Sequence, residues 1–151
     1  MNFRRYRDDD FEAVWHLHNE ALSATGAHLS NGPWDEDLRS IKKTYLDNGG
    51  EFFVVVISNE IVAMGALKKT GERSAEICRM RALPAYQRRG FGGAMLEKLE
   101  STARERGFNH IHLDTSMSQT AAMALYRKHG YSETGRGKIR NLDIVYFEKY
   151  L

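Results

Sequence analysis

The chain of 151 residues has one cysteine, Cys78, so no internal disulfide can form and no cysteine-based zinc site can be assembled. Its strand-like surroundings make it a small buried apolar side chain in a reducing compartment sooner than a nucleophile. No apolar stretch approaches the ~20 residues of a membrane span. The start Met1-Asn2-Phe3-Arg4-Arg5 has no hydrophobic core of the signal-peptide kind, so a cytoplasmic location without membrane contact is expected. An excess of charge is also missing. Against 20 acidic residues stand 22 basic ones, a net charge of +2 that does not suggest a nucleic-acid-binding surface. There is no repeat, linker or low-complexity tract. A composition 42% hydrophobic and 28% charged fits one globular domain over residues 1–151.

What is present is a regular succession of strand-like and helix-like segments. Phe3 to Arg7 reads as a short edge strand, and Asp8, Asp9 and Asp10 then cap a helix to about Ala24. Phe11, Val14, Trp15, His18, Ala21 and Leu22 share a face of that helix. After a polar loop, Thr25 to Pro33, a second helix is expected because Trp34, Leu38, Ile41 and Tyr45 recur at helical spacing. Three strands, Phe52 to Ile57, Ile61 to Lys68 and Ala75 to Leu83, form an antiparallel meander. A helix from Gly90 to about Arg106 follows, then a strand at His110 to Thr115 and a helix from Thr120 to His129. The last strands are placed near Tyr131 to Thr134 and at Leu142 to Tyr150. The order implies an α+β protein with a mixed sheet and not a regular βαβ winding.

Two segments carry chemistry. Gln87 to Gly93 reads Gln-Arg-Arg-Gly-Phe-Gly-Gly between a strand and a helix, where glycines permit a sharp turn and the first amides of the helix can face an anion. The cationic side chains Arg79, Arg81, Arg88 and Arg89 suit a small polyanion. A dinucleotide fingerprint counted from Gly90 would need glycine at Met95. A triphosphate loop would need Ser or Thr after Gly137-Lys138, where Ile139 stands. Both fail. Farther along, residues 119–131 read Gln-Thr-Ala-Ala-Met-Ala-Leu-Tyr-Arg-Lys-His-Gly-Tyr. Ala122, Leu125, Tyr126 and His129 share a helical face there, which takes Leu125 into the core and leaves Tyr126 at a cleft edge, and Gly130 sits where a C-cap is wanted.

Together, in this order, the two segments resemble the signatures of the GNAT superfamily of acetyl-coenzyme A-dependent N-acetyltransferases, Gln/Arg-x-x-Gly-x-Gly/Ala and Asn-x-x-Ala-x-x-Leu-Tyr-x-x-x-Gly-Phe. The resemblance covers Ala75 to Tyr131 and extends to the rest by element order. It implies a mostly antiparallel sheet of six to seven strands flanked by about four helices. It also implies that the pyrophosphate of acetyl-coenzyme A lies against Arg88, Arg89, Gly90, Phe91, Gly92 and Gly93, with Gln87 at the loop start. The pantetheine arm would add to the strand edge at Met80, Arg81, Ala82 and Leu83. Tyr126 would be the general acid for the departing thiolate, and Gln119, standing where the family has asparagine, a shifted cofactor contact.

A base is required, because a lysine-like ammonium with a pKa of about 10.4 has no lone pair. Glu76 resembles the strand glutamate that serves in the histone-acetylating branch, with His112 and Asp114 as runners-up. His110, His112 and Asp114 alternate on one strand face, but without a further spaced ligand no metal is expected; His16 and His18 point to different helix faces. The expected partner is a small-molecule or peptide amine, and a homodimer is compatible with the sequence. The family would shape the acceptor pocket from Thr25 to Trp34 and from Arg136 to Asn141, with Trp34 and Tyr45 as pocket or core residues. A non-catalytic acyl-coenzyme A-binding module is the alternative in another class.

Overall fold

The computed structural model describes residues 2–25 and 31–151, so the part of the expected acceptor loop from Gly26 to Ser30 lies outside the described residues. Seven strands are observed: β1 Asn2–Arg5, β2 Glu51–Ile57, β3 Glu60–Lys69, β4 Ser74–Ala82, β5 His110–Ser116, β6 Ser132–Ile139 and β7 Leu142–Tyr150. They make one sheet in the order β1-β2-β3-β4-β5-β7-β6. Every pairing is antiparallel except that of β4 with β5. The helices are α1 Phe11–Thr25, the single turn α2 Ile41–Thr44, α3 Phe91–Glu105 and α4 Thr120–Lys128. The α+β architecture and the meander β2–β4 therefore stand as expected from the sequence.

Local chemistry accounts for the starts of the helices. A short 3-10 turn at Asp8–Asp10 leads into α1. The Asp10 carboxylate accepts the Arg7 N–H at 2.8 Å and a guanidinium fork from Arg4 at 2.7 and 2.8 Å, anchoring β1 to the helix start. Val14, Leu17, His18 and Ala21 are buried along the inner face of α1. On the other face of the sheet α3 buries Met95, Leu96 and Leu99, because Gly65 of β3 lets that helix approach. A Cβ at Gly65 would lie 2.5 Å from Met95 Cγ and 3.1 Å from Leu99 Cδ1.

Two segments depart from the sequence reading. The second helix is broken: Pro33–Arg39 is 3-10, Ser40 leaves helical geometry at φ −143° and ψ 52°, and α2 adds only four residues. The apolar spacing still holds, with Leu38, Ile41 and Tyr45 all buried, so a chain of short turns satisfies the same pattern. The sixth strand is longer than expected, Ser132–Ile139 in place of Tyr131 to Thr134. It is an exposed edge strand carrying Gly135 and Gly137, with no apolar period to announce it.

Gly65→Ala should cost about 1–3 kcal/mol of stability through overpacking against Met95 and Leu99. Urea unfolding monitored by circular dichroism should show a lower midpoint with an unchanged slope.

Candidate active site

The parallel pairing of β4 and β5 has three register positions, Ser74 with His110, Ala75 with Ile111 and Glu76 with His112. Beyond them β4 follows β3 and β5 follows β7. The facing edges of the parted strands are left for a ligand to pair, since buried backbone groups need partners. A cleft of about 500 Å³ opens there, lined among others by Glu76, Met80, Arg81, Asp114, Gln119 and Tyr126.

A bulge sharpens the opening. The β3–β4 register shifts between Met64 and Ala66, and Arg79 on the opposite strand takes φ +56°, a left-handed conformation that a side chain adopts at a cost. Tertiary contacts hold it there. Arg79 donates Nε to Asp37 Oδ2 at 2.9 Å, Nη2 to Asp37 Oδ1 at 2.5 Å and Nη2 to the Trp34 carbonyl at 2.8 Å. Tyr45 adds its hydroxyl to Asp37 Oδ2 at 2.5 Å. Burial pushes the Asp37 carboxyl up, but the Arg79 fork and the Tyr45 hydroxyl outweigh it and hold the group below the usual carboxylate range. Arg79 is therefore committed to Asp37 and does not join the anion-binding cluster expected with Arg81, Arg88 and Arg89.

Desolvation acts on the ionisable groups of the cleft in one direction. Glu76 is raised above its ordinary value by burial, and then by the Asp114 charge, with His112 opposing. Asp114 is raised by desolvation against His112, Arg81 and Arg79. The Tyr126 phenol is pushed up to about 12 by burial, with Arg81 pulling the other way, so it stays protonated at neutral pH. Burial, followed by the Glu76 charge, lifts the Cys78 thiol well above its usual range, which removes the thiolate needed by an acyl-enzyme route. Tyr126 is more buried than Leu125, reversing the expected order. Its ring packs on Tyr131 and Phe147 at 5.8 and 6.0 Å, and Leu125 instead touches the start of α3.

The glycine motif lies outside the lining of the cleft, at the outer end of β4. Gly90 stands before the helix at φ +85°, and the first helical bond runs from Ala94 N–H to the Gly90 carbonyl at 3.1 Å. The amides of Phe91, Gly92 and Gly93 precede that bond and have no carbonyl of the helix to meet, the arrangement an anion binds. Gly92 has a further reason to be glycine, since a Cβ there would lie 2.9 Å from Leu125 Cδ2 of α4. Arg88 and Arg89 are exposed and Phe91 is buried against Tyr86, ring centres 6.0 Å apart. Gln87 donates Nε2 to the Ala82 carbonyl at 3.1 Å, and Leu83 donates its N–H to the Val62 carbonyl at 2.9 Å, which carries the pairing with β3 past the end of β4.

Thus Glu76, Met80, Arg81, Gln119 and Tyr126 come together, while Ala82, Leu83 and Gln87 through Gly93 form a second station farther along the strand. His110 and His112 are separately engaged, His110 with Glu148 at 2.9 Å and His112 with Thr70 at 2.9 Å. Among the described residues no group of three His, Cys, Asp or Glu side chains is placed to hold a metal ion. None of the described helices is long and apolar enough to cross a membrane. Asp37 and Ser116 also line the cleft and were not singled out, and Arg79 lines it too although it was expected only as part of an anion-binding cluster. On the opposite wall the β6–β7 hairpin brings Ile139 and Leu142 to the cleft, and the Arg140 guanidinium stacks on Trp34 at 4.0 Å.

The sequence profile of the acetyltransferase (GNAT) family matches residues 11–131. N-acetyltransferase 8 of Homo sapiens is 30% identical over 122 residues, 72% of this chain and 54% of its own. The chain thus spans about half the length of that relative and of the rat N-acetyltransferase 8F1. The [ribosomal protein bS18]-alanine N-acetyltransferase of Escherichia coli strain K12 is 29% identical over 126 residues, 82% of this chain and 76% of its own. Among solved structures, a GNAT-family acetyltransferase from Staphylococcus aureus Mu50 has a TM-score of 0.90 at 20% identity, covering 99% of this chain and 98% of its own. The PaiA N-acetyltransferase of Thermoplasma acidophilum, in complex with coenzyme A, has a TM-score of 0.80 at 17% identity with the same coverage.

Asp37→Asn should remove about 2–3 kcal/mol of stability by leaving the Arg79 charge largely buried without its anion. The pH dependence has a defined sign. Because the folded carboxyl is depressed, its contribution is full above the unfolded value near 3.9 and is lost as pH falls through the folded value. Urea titrations between pH 7 and pH 2 should show part of the acid loss of stability absent in the variant.

Proposed function

Because the chain belongs to the acetyltransferase (GNAT) family, we propose that it moves an acetyl group from acetyl-coenzyme A to a primary amine by direct transfer in a ternary complex. The observation that carries this reading is the convergence of Glu76 and the Tyr126 hydroxyl on one cleft where β4 and β5 part. The free amides of Phe91 to Gly93 suit the pyrophosphate, and the unpaired edge of β4 from Met80 to Leu83 suits the amide-bearing pantetheine arm. With the thioester bound, Glu76 takes one proton from the incoming ammonium, the amine nitrogen bonds to the acetyl carbon, and as the carbon–sulfur bond breaks the nitrogen gives its second proton to solvent and becomes an amide. Tyr126 donates its hydroxyl to the sulfur as it becomes a thiolate. At about 12, against about 8.5 for a thiol, its pKa makes that contribution a charge-stabilising hydrogen bond, and the proton that completes the thiol is replenished from solvent.

The acceptor class reaches from small amines to peptide N-termini, the latter being the kind of group named for the bS18-alanine enzyme of Escherichia coli. Tyr126 and Glu76 favour an enzyme over a non-catalytic acyl-coenzyme A-binding module, which needs neither.

Thiol release from acetyl-coenzyme A should be measured over a panel of primary amines. Tyr126→Phe should lower kcat by about 10²-fold or more. Tight acetyl-coenzyme A binding without turnover on any amine would support the binding module instead. Turnover should also rise with pH as Glu76 ionises, with the midpoint displaced above the ordinary glutamate range. Glu76→Gln should abolish that rising limb, and a limb that survives the substitution would move the base to His112 or Asp114.

A further inference from the structure

Arg81 is half-buried at the cleft wall and, unlike Arg79, has no ion pair among the described residues. Its Nη1 donates to the Met80 carbonyl at 2.9 Å, which fixes the guanidinium beside its own strand. Among the described residues its other donors are unmatched: Nε is sealed within the protein without a partner, and Nη2, which is not sealed, makes no hydrogen bond. Asp114 of the same lining acts on the guanidinium electrostatically without an ion pair, and the carboxylates on the α1 side are already occupied. Asp37 is held by Arg79 and Tyr45, and Asp35 by His18 at 2.9 Å and by Asn31 at 3.0 Å. A buried guanidinium N–H left unmatched is costly, and an anion at the accessible Nη2 would compensate the unpaired charge.

Elsewhere the cleft lining is mixed, with Lys68, and Arg79 paired to Asp37, beside two carboxyls. Glu76 and Asp114 belong to the same lining, one on each parted strand, and attract an ammonium group. Arg81 stands opposite Met64 of β3 and so faces away from Gly65 and α3, toward the face where Asp37, Tyr45 and Leu22 line the cleft. That is the face remote from the glycine station.

We propose that the Nη2 side of the Arg81 guanidinium is an anion subsite for the acceptor, so that the preferred acceptor carries a carboxylate close to its amine, as a free α-amino acid does. The inference rests on the acetyltransfer reading and narrows its acceptor. The backbone of Arg81 still borders the donor, and only its side chain is assigned to the acceptor.

Matched pairs test it: glycine and glycinamide, L-alanine and L-alaninamide, L-phenylalanine and L-phenylalaninamide. Each is assayed by thiol release from acetyl-coenzyme A, with kcat/KM corrected for the fraction of neutral amine. The acid should exceed its amide in the wild type. Arg81→Gln should lower the acid-to-amide ratio by about tenfold or more, mainly through KM, and Arg81→Lys should keep part of the preference. Acids and amides used alike by the wild type, or a ratio unmoved by Arg81→Gln, would overturn the subsite. An equal loss on both members of each pair would also overturn it and assign Arg81 to the thioester. Calorimetric binding of the same pairs to the coenzyme A-saturated protein separates this proposal from the reading beneath it. Absent turnover on every amine overturns acetyltransfer, while an acid preference in binding that Arg81→Gln removes still supports the anion subsite, and equal binding of acid and amide overturns it.

Discussion

Parallel pairing between β4 and β5 stops at Glu76 and His112, and the strands part before either has ended. An open sheet would ordinarily close that gap, because two facing edges with unmet backbone groups are both costly and sticky. Here each strand is held by its other neighbour, β4 by β3 and β5 by β7, so neither needs the other to stay extended. The Arg79 bulge belongs to the same arrangement. Its left-handed backbone survives because Asp37 and the Trp34 carbonyl fasten the side chain from a different part of the chain.

The parting also explains why three groups of different chemistry are displaced upward in pKa together. Withdrawal from water disfavours the charged form of a carboxyl, a phenol and a thiol alike, so Glu76, Tyr126 and Cys78 all shift the same way. For catalysis the consequences differ. In the proposed reaction the raised glutamate is a stronger base, the protonated tyrosine a hydrogen-bond donor, and the cysteine stays a thiol. Burial is the largest cause of all three shifts, with neighbouring charges second.

Much of this was legible in the chain. The strand β7 has the bounds that alternation assigned to it, and α3 and α4 begin where glycine and polar residues announced them. Tyr126, picked out by the resemblance of residues 119–131 to the second family signature, does line the cleft. The failures have physical causes. Leu125 and Tyr126 are adjacent on a helix and about 100° apart, so periodicity could not rank their burial. The interrupted turns from Pro33 to Thr44 bury the same residues that one continuous helix would. The edge strand β6 is almost wholly exposed and had no apolar signal to give. The Arg79–Asp37 pair joins residues 42 positions apart, and no local pattern carries such a distance.

The contact of Arg140 with Trp34 joins the two segments that close the cleft from opposite sides, one a hairpin tip and one a run of 3-10 turns. Neither is a strand of the parted pair, and neither contains the glycine station. The parted strands are thus fixed by sheet and helix packing, while the far side of the cleft is spanned by a stacking pair. Change at the tip can reshape what enters while leaving the interior scaffold undisturbed. In an architecture of this kind, diversification has a preferred address: the perimeter, where a few exposed side chains decide admission and little of the fold depends on them.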